Sequence, residues 1–244
     1  MMAPVELPFL LVLLLTFLVS TVTLLTGFGI GTVLTPAFAF AFDVKTAVLL
    51  VAVVHLANNI LKLALFRKAV DRDIVKRFGL VSVLGAIGGS FLQSALQSEY
   101  VAVVLGLFLV VAGIMEFLPA KSSYRIPRKF DVASGFFSGL MGGVIGNQGA
   151  IRSAYLLNYG LSKESFIATA TAISIIIDLT RIPVYLYSES TRLSQHAGIL
   201  GLVIVSAFIG TLWGRELLKK ISLDRFRLFV AVFLVLSGIY LVLK

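Results

Sequence analysis

Gly27-Phe28-Gly29-Ile30-Gly31 and Gly146-Asn147-Gln148-Gly149 decide how this chain is read. Each interrupts a long apolar stretch, and the two begin 119 residues apart. Inside a bilayer, non-helical backbone leaves N–H and C=O groups unpaired at several kcal/mol each. Such a break survives where protein, water or a ligand satisfies those groups. Paired breaks at matching positions of two halves point to the binding site of a transporter.

The surrounding composition is that of a membrane protein. Hydrophobic residues make up 59% of the 244 and charged residues 14%, against roughly 25% charged in soluble domains. Mean hydropathy is +1.02. The absence of cysteine excludes disulfides, thiolate metal sites and cysteine nucleophiles. The net charge of +9 does not imply nucleic acid, because the basic residues gather at the ends of apolar segments, where topology accounts for them. No Lys or Arg precedes the first apolar run, so no cleavable signal peptide is expected.

Apolar segments lie at about 7–26, 32–42, 46–66, 78–96, 100–118, 132–145, 150–159, 166–187, 197–213 and 226–243. Six of them (46–66, 78–96, 100–118, 166–187, 197–213 and 226–243) are long enough to cross, whereas 32–42, 132–145 and 150–159 are too short. The halves repeat. Gly27 aligns with Gly146, Asp43-Val44-Lys45 with Ser162-Lys163-Glu164, Ile87-Gly88 with Ile209-Gly210, and Gly113-Ile114 with Gly238-Ile239.

Positive charge separates two geometries. If each break lies within one crossing helix, eight spans result, and loop Lys and Arg divide 11 to 7 between the two sides. If each break is the tip of a re-entrant hairpin, six spans result and the division is 15 to 3. The positive-inside rule favours the second. The expected fold is therefore an all-α polytopic membrane protein of two inverted repeats, each a glycine-broken re-entrant hairpin plus three transmembrane helices. Residues 1–118 form the first repeat, 119–131 a cytoplasmic linker and 132–244 the second. Both termini are predicted outside, with the 67–77, 119–131 and 214–225 loops cytoplasmic. Pro36 reads as a helix-start residue and Pro183 as a kink.

Polar residues within the spans repeat at the same offset. His55, Asn59 and Lys62 match Ser174, Asp178 and Arg181, each 119 residues on. Spacing i, i+4, i+7 places each trio on one helix face. Intramembrane ionisable groups line cavities or pair with one another. Snorkelling is the structural alternative for Lys62, and a simple ion pair the alternative for Asp178 and Arg181. Arg152 falls in the first turn of the helix after the second break, where free N–H groups and the dipole favour an anion. Asn147, Gln148 and Gly149 complete that tip, and Gly29, Gly31 and Thr32 are the equivalents at the first. The anion-binding candidates are thus Gly29, Gly31, Thr32, Asn59, Lys62, Asn147, Gln148, Gly149, Arg152 and Arg181, with His55 and Asp178 as proton-coupling candidates.

Gly27-Phe28-Gly29-Ile30-Gly31-Thr32-Val33-Leu34-Thr35-Pro36 and the second-half Ser134-Gly135-Phe136-Phe137-Ser138-Gly139-Leu140-Met141-Gly142-Gly143 resemble the TauE/SafE sulfite exporter family, also called the TSUP family. That resemblance implies an inner-membrane permease for sulfite, sulfoacetate, related organosulfonates or other small organic anions. The chain departs from the family pattern where Asn147-Gln148 and Tyr155 replace a glycine run and proline, which gives a more polar tip.

The expected function is a secondary transporter of small anions, one repeat rocking against the other around a site at the two tips. An anion channel of the same fold and a proton-coupled carboxylate uptake permease are the rivals. An enzyme is not expected, since no nucleophile or metal cluster is present. No cofactor and no metal are expected. The partners are a small anionic substrate and the lipid bilayer, without nucleic acid, and the sequence is compatible with a homo-oligomer.

Overall fold

The computed structural model describes residues 7–26, 30–117, 127, 130–217 and 223–244, and every element among them is helical. Five stretches are long and apolar enough to cross a membrane: Val44–Ala69, Arg72–Ala95, Ser98–Met115, Lys163–Ser188 and Ala197–Glu216. The protein is therefore an all-α polytopic membrane protein. In hydrocarbon the helix satisfies its own backbone polar groups, so apolar runs of this length fold as helices.

The chain begins with α1 (Leu7–Thr26), α2 (Ile30–Ala39) and α3 (Val44–Phe66). Asp43 caps α3 by accepting the Thr46 N–H. The short α4 (Arg72–Ile74) passes through a π-helical turn, Val75–Gly79, into α5 (Leu80–Ala95), and α6 (Ser98–Phe117) follows. Beyond the midpoint come α7 (Asp131–Ile145), α8 (Gly149–Leu156), α9 (Lys163–Gln195), α10 (Ala197–Leu217) and α11 (Leu223–Leu243). Gly27, Phe28 and Gly29 lie outside the described residues, as does most of the 119–131 linker.

Two helices depart from the sequence expectation. α9 continues to Gln195, because the polar residues that end its apolar run include no glycine or proline to end the helix. Pro36 does not start a helix; α2 begins at Ile30 and Pro36 lies inside it. Without an N–H, Pro36 leaves the Thr32 carbonyl short of its i+4 partner.

Packing crosses the sequence midpoint. α5 lies on α7, α1 on α10, α6 on α11 and α3 on α9. The contact registers fix directions. On the α5/α7 seam, Gly135 meets Phe78 and Gly139 meets Ser82, so these helices run parallel. On the α1/α10 seam, Gly210 meets Phe17 and Gly214 meets Thr21, again parallel. α3 and α9 are antiparallel, since His55 faces Asp178 while Asp71 reaches back to Thr169. The antiparallel α6 and α11 meet at Gly113 on Ala231 and Gly238 on Gly106.

These seams bring backbone onto backbone. A Cβ on Gly139 would lie 1.9 Å from the Ser82 carbonyl oxygen, and one on Gly85 2.1 Å from that of Phe136. Small residues permit such approach between apolar helices that gain little from hydrophobic burial in lipid. The first two seams also copy one another. Gly85 on Phe136 and Gly89 on Leu140 recur as Gly210 on Phe17 and Gly214 on Thr21. The glycines are offset by 125 residues and their partners by 119. The sequence alignment of Gly88 with Gly210 is thus shifted by three: Gly88 meets nothing, and Gly85 occupies the equivalent place.

Candidate functional site

α8 returns toward the start of α7. α7 runs from Asp131 to Ile145 and stops at Gly146, whose φ of 75° is left-handed. Glycine adopts this conformation without strain. α8 then doubles back until the Tyr155 and Tyr159 hydroxyls donate to the Asp131 carboxylate at the start of α7. α2 leaves the neighbourhood of Val51, and the turn after it sets Phe42 against His196, just before α3.

The start of α2 touches the turn between α7 and α8. Thr32 Oγ1 donates to Asn147 Oδ1 at 2.8 Å, and a Cβ on Gly31 would lie 3.2 Å from the Gly146 carbonyl oxygen. Asn147 and Gln148 are 1% exposed. Nevertheless Asn147 Nδ2 and both polar side-chain atoms of Gln148 have no partner. Gln148 stands at the N-cap of α8 without a side-chain capping bond. The first N–H groups of that helix, from Gly149 on, thus lack an intrahelical acceptor. Arg152, one turn in, is 3% exposed; its Nη1 donates to Ser174 Oγ, and its Nε is unpartnered. Its side chain therefore does not escape to the surface.

The polar faces of α3 and α9 meet beside this turn. His55 Nδ1 lies 2.6 Å from Asp178 Oδ2. With Nδ1 protonated it donates to the carboxylate and leaves Nε2 to accept from Asn59 Nδ2 at 3.3 Å. Arg181 holds the other carboxylate oxygen through Nε at 3.0 Å and Nη2 at 2.8 Å. Its Nη1 donates to the Gly142 carbonyl at 2.8 Å. Tyr185 donates to the Gly143 carbonyl. Arg181 and Tyr185 thus satisfy carbonyls at the C-terminus of α7, where a cation also meets the negative end of the dipole. Arg181 is wholly buried and mostly committed to protein.

Lys62 holds the matching position in the first half. Its Nζ lies 3.4 Å from Thr23 Oγ1 in α1. Lys62 and Thr23 precede Arg181 and Gly142 by 119 residues each. Lys62 is 6% exposed, so it does not snorkel.

Of the sequence candidates, Gly31, Thr32, Asn147, Gln148, Gly149 and Arg152 gather at the turns, and His55, Asn59, Lys62, Asp178 and Arg181 on the adjoining faces. Gly29 lies outside the described residues. Tyr185 was missed, although it continues the α9 face at i+4 from Arg181 and was legible there. Asn58, which donates its face to α10 by accepting from Thr211 at 2.8 Å, also belongs to the buried polar set. Among the described residues no His, Asp and Glu cluster is placed to hold a metal ion.

The family profile described as sulfite exporter TauE/SafE matches residues 12–241. The chain belongs to that family. TauE/SafE proteins are membrane transporters, so the buried polar centre lies in a transporter scaffold. No curated protein matches the chain.

Proposed function

We propose that this TauE/SafE protein is a secondary transporter of small anions such as sulfite, sulfoacetate or related organosulfonates, working by alternating access around the place where the start of α2 meets the α7–α8 turn. One observation carries the reading: a buried, uncapped helix N-terminus surrounded by polar groups that the protein itself does not satisfy. Asn147, Gln148 and Arg152 Nε are donors awaiting an acceptor, and a helix N-terminus favours an anion.

The transport geometry is that of inverted repeats, residues 1–118 and 132–244 joined by the 119–131 linker. The copied glycine contacts support this reading. So do the directions: α3 and α9 oppose each other, as do α6 and α11, and α1 follows α10 while α7 follows α5. The α1–α2 and α7–α8 pairs are then re-entrant hairpins entering from opposite faces. The exposed Arg67, Lys68, Arg72, Lys76, Arg77, Lys163 and Arg215 share one end, while Lys45 and Lys244 share the other. That bias supports a cytoplasmic first end in an inner-membrane protein, with both termini outside. A membrane potential negative inside favours anion export by ~2.3 kcal/mol per charge per 100 mV.

The test is flux of sulfite from proteoliposomes. Arg152→Ala is expected to lower it about tenfold or more, the value of a charged hydrogen bond, with Arg152→Lys intermediate. Undiminished flux in Arg152→Ala would count against a site at the second turn. Proton-coupled uptake is the second reading, favoured by the His55–Asp178 contact beside the site. It requires anion accumulation driven by an imposed pH gradient.

A further inference from the structure

We propose that Thr32 of the first half is a positioning residue for the site in the second: its hydroxyl fixes which end of the Asn147 amide faces the anion. The inference rests on the anion-carrier reading and gives Thr32 a role other than touching the ligand.

A buried hydroxyl needs an acceptor for its proton. Thr16, Thr21, Ser82 and Thr180 each donate to the carbonyl four residues back on the chain. Thr32 is the third residue of α2, which starts at Ile30, so no α2 carbonyl lies four residues behind it. Its proton goes instead across the sequence midpoint, to Asn147 Oδ1 at 2.8 Å. Both residues are buried, so water does not compete for the bond.

That bond gives the amide a direction. An amide carries an accepting oxygen at one end and a donating nitrogen at the other. With Oδ1 held by Thr32, Nδ2 is turned away from Thr32, and among the described residues it has no partner. Asn147 immediately precedes Gln148, the N-cap of α8, so Nδ2 joins the donors at that helix start. Turned over, the same amide would set an oxygen lone pair toward the anion and leave the Thr32 proton without its acceptor.

Gln148 is the internal comparison. It is equally buried, yet neither end of its side-chain amide has a partner among the described residues. Nothing there fixes which end a ligand meets. Arg152 needs no orienting neighbour, because every polar atom of a guanidinium donates. Asn147 is the two-faced group whose neighbour chooses the face, and α2 supplies that neighbour. In this way the first half sets the polarity of a site built on the second.

The test measures the concentration dependence of sulfite flux from proteoliposomes for the wild type, Thr32→Val, Asn147→Ala and the double variant. Thr32→Val keeps the side-chain size and removes the hydroxyl. It is expected to raise KM about fivefold or more, with maximal flux changed less. Thr32→Ser, which restores the donor, should stay within about twofold of the wild type, and Thr32→Val should add nothing to Asn147→Ala. A wild-type KM in Thr32→Val overturns the assignment. So does an equal rise in the Asn147→Ala background, which would mean that Thr32 acts on the anion or the fold and not through the amide. If Thr32→Val does not fold, Asn147→Asp decides. With one oxygen held by Thr32 it turns the other toward the anion, and it should impair flux more than Asn147→Ala; equal impairment overturns the assignment. None of these results touches the anion reading, which fails, and the assignment with it, if the wild type shows no saturable sulfite flux.

Discussion

At the residue scale, the Asp178 carboxylate is the joint of the polar centre. It holds His55 on α3 and Arg181 on its own helix, and Arg181 in turn holds the end of α7. Removing one partner of a buried charge pair costs about 3–5 kcal/mol, because the other is left uncompensated. Asp178→Asn is therefore expected to lower the thermal midpoint of the purified protein sharply, whereas Thr32→Val, which removes one neutral hydrogen bond, should cost about 1 kcal/mol. A midpoint for Asp178→Asn within error of the wild type would contradict the joint. Much of this centre was legible, because ionisable groups in an apolar run announce themselves and the 119-residue offset pairs them. What could not be read was the use of Arg181. Its acceptor is the Gly142 carbonyl, and every residue carries a carbonyl, so composition gives no clue to which one it reaches. Likewise the contact of His55 with Asp178, beyond its bond to Asn59 in its own trio, depends on which helix faces which.

At the element scale, the long helices followed from apolar length, but the seams did not. Glycines at 85, 89, 135, 139 and 143 are visible in the sequence, yet so is Gly88, which faces open space. Rotation about the helix axis separates them, and an almost uniformly apolar helix carries little pattern to fix that rotation. The difference is testable. Gly139→Val would drive side-chain atoms into the Ser82 backbone and is expected to cost about 1–3 kcal/mol or more, seen as a lower melting midpoint. Gly88→Ala should leave the midpoint unchanged. Equal effects of the two substitutions would rule out the described α5/α7 register. The offset of 125 in α10 against 119 in α1 also shows why alignment by single residues slipped: the extra residues fall between the third and fourth long elements, where α9 overruns its apolar core by a polar stretch.

At the scale of the whole molecule, the two halves are not two bodies. The closest backbone contacts join α5 of the first half to α7 of the second, and α1 of the first to α10 of the second. Swinging one half against the other as a block would tear these seams apart. Contacts between α5 and α9 and between α10 and α3 extend each seam. We propose α1–α2–α3–α10 and α5–α7–α8–α9 as the moving groups, with the α3/α9 contact and the polar centre between them. On that proposal the motion runs between these groups and not between the halves. A cysteine-free chain makes the point measurable with paired cysteines. A disulfide between Leu13→Cys and Ser206→Cys, where the Ser206 hydroxyl meets the Leu13 carbonyl at 2.8 Å, ties α1 to α10 within one group and should leave flux intact. A short cross-link between Lys45→Cys and Ser94→Cys, whose wild-type Nζ and carbonyl lie 3.2 Å apart, spans the boundary and should arrest it. The opposite result would make the halves themselves the moving parts.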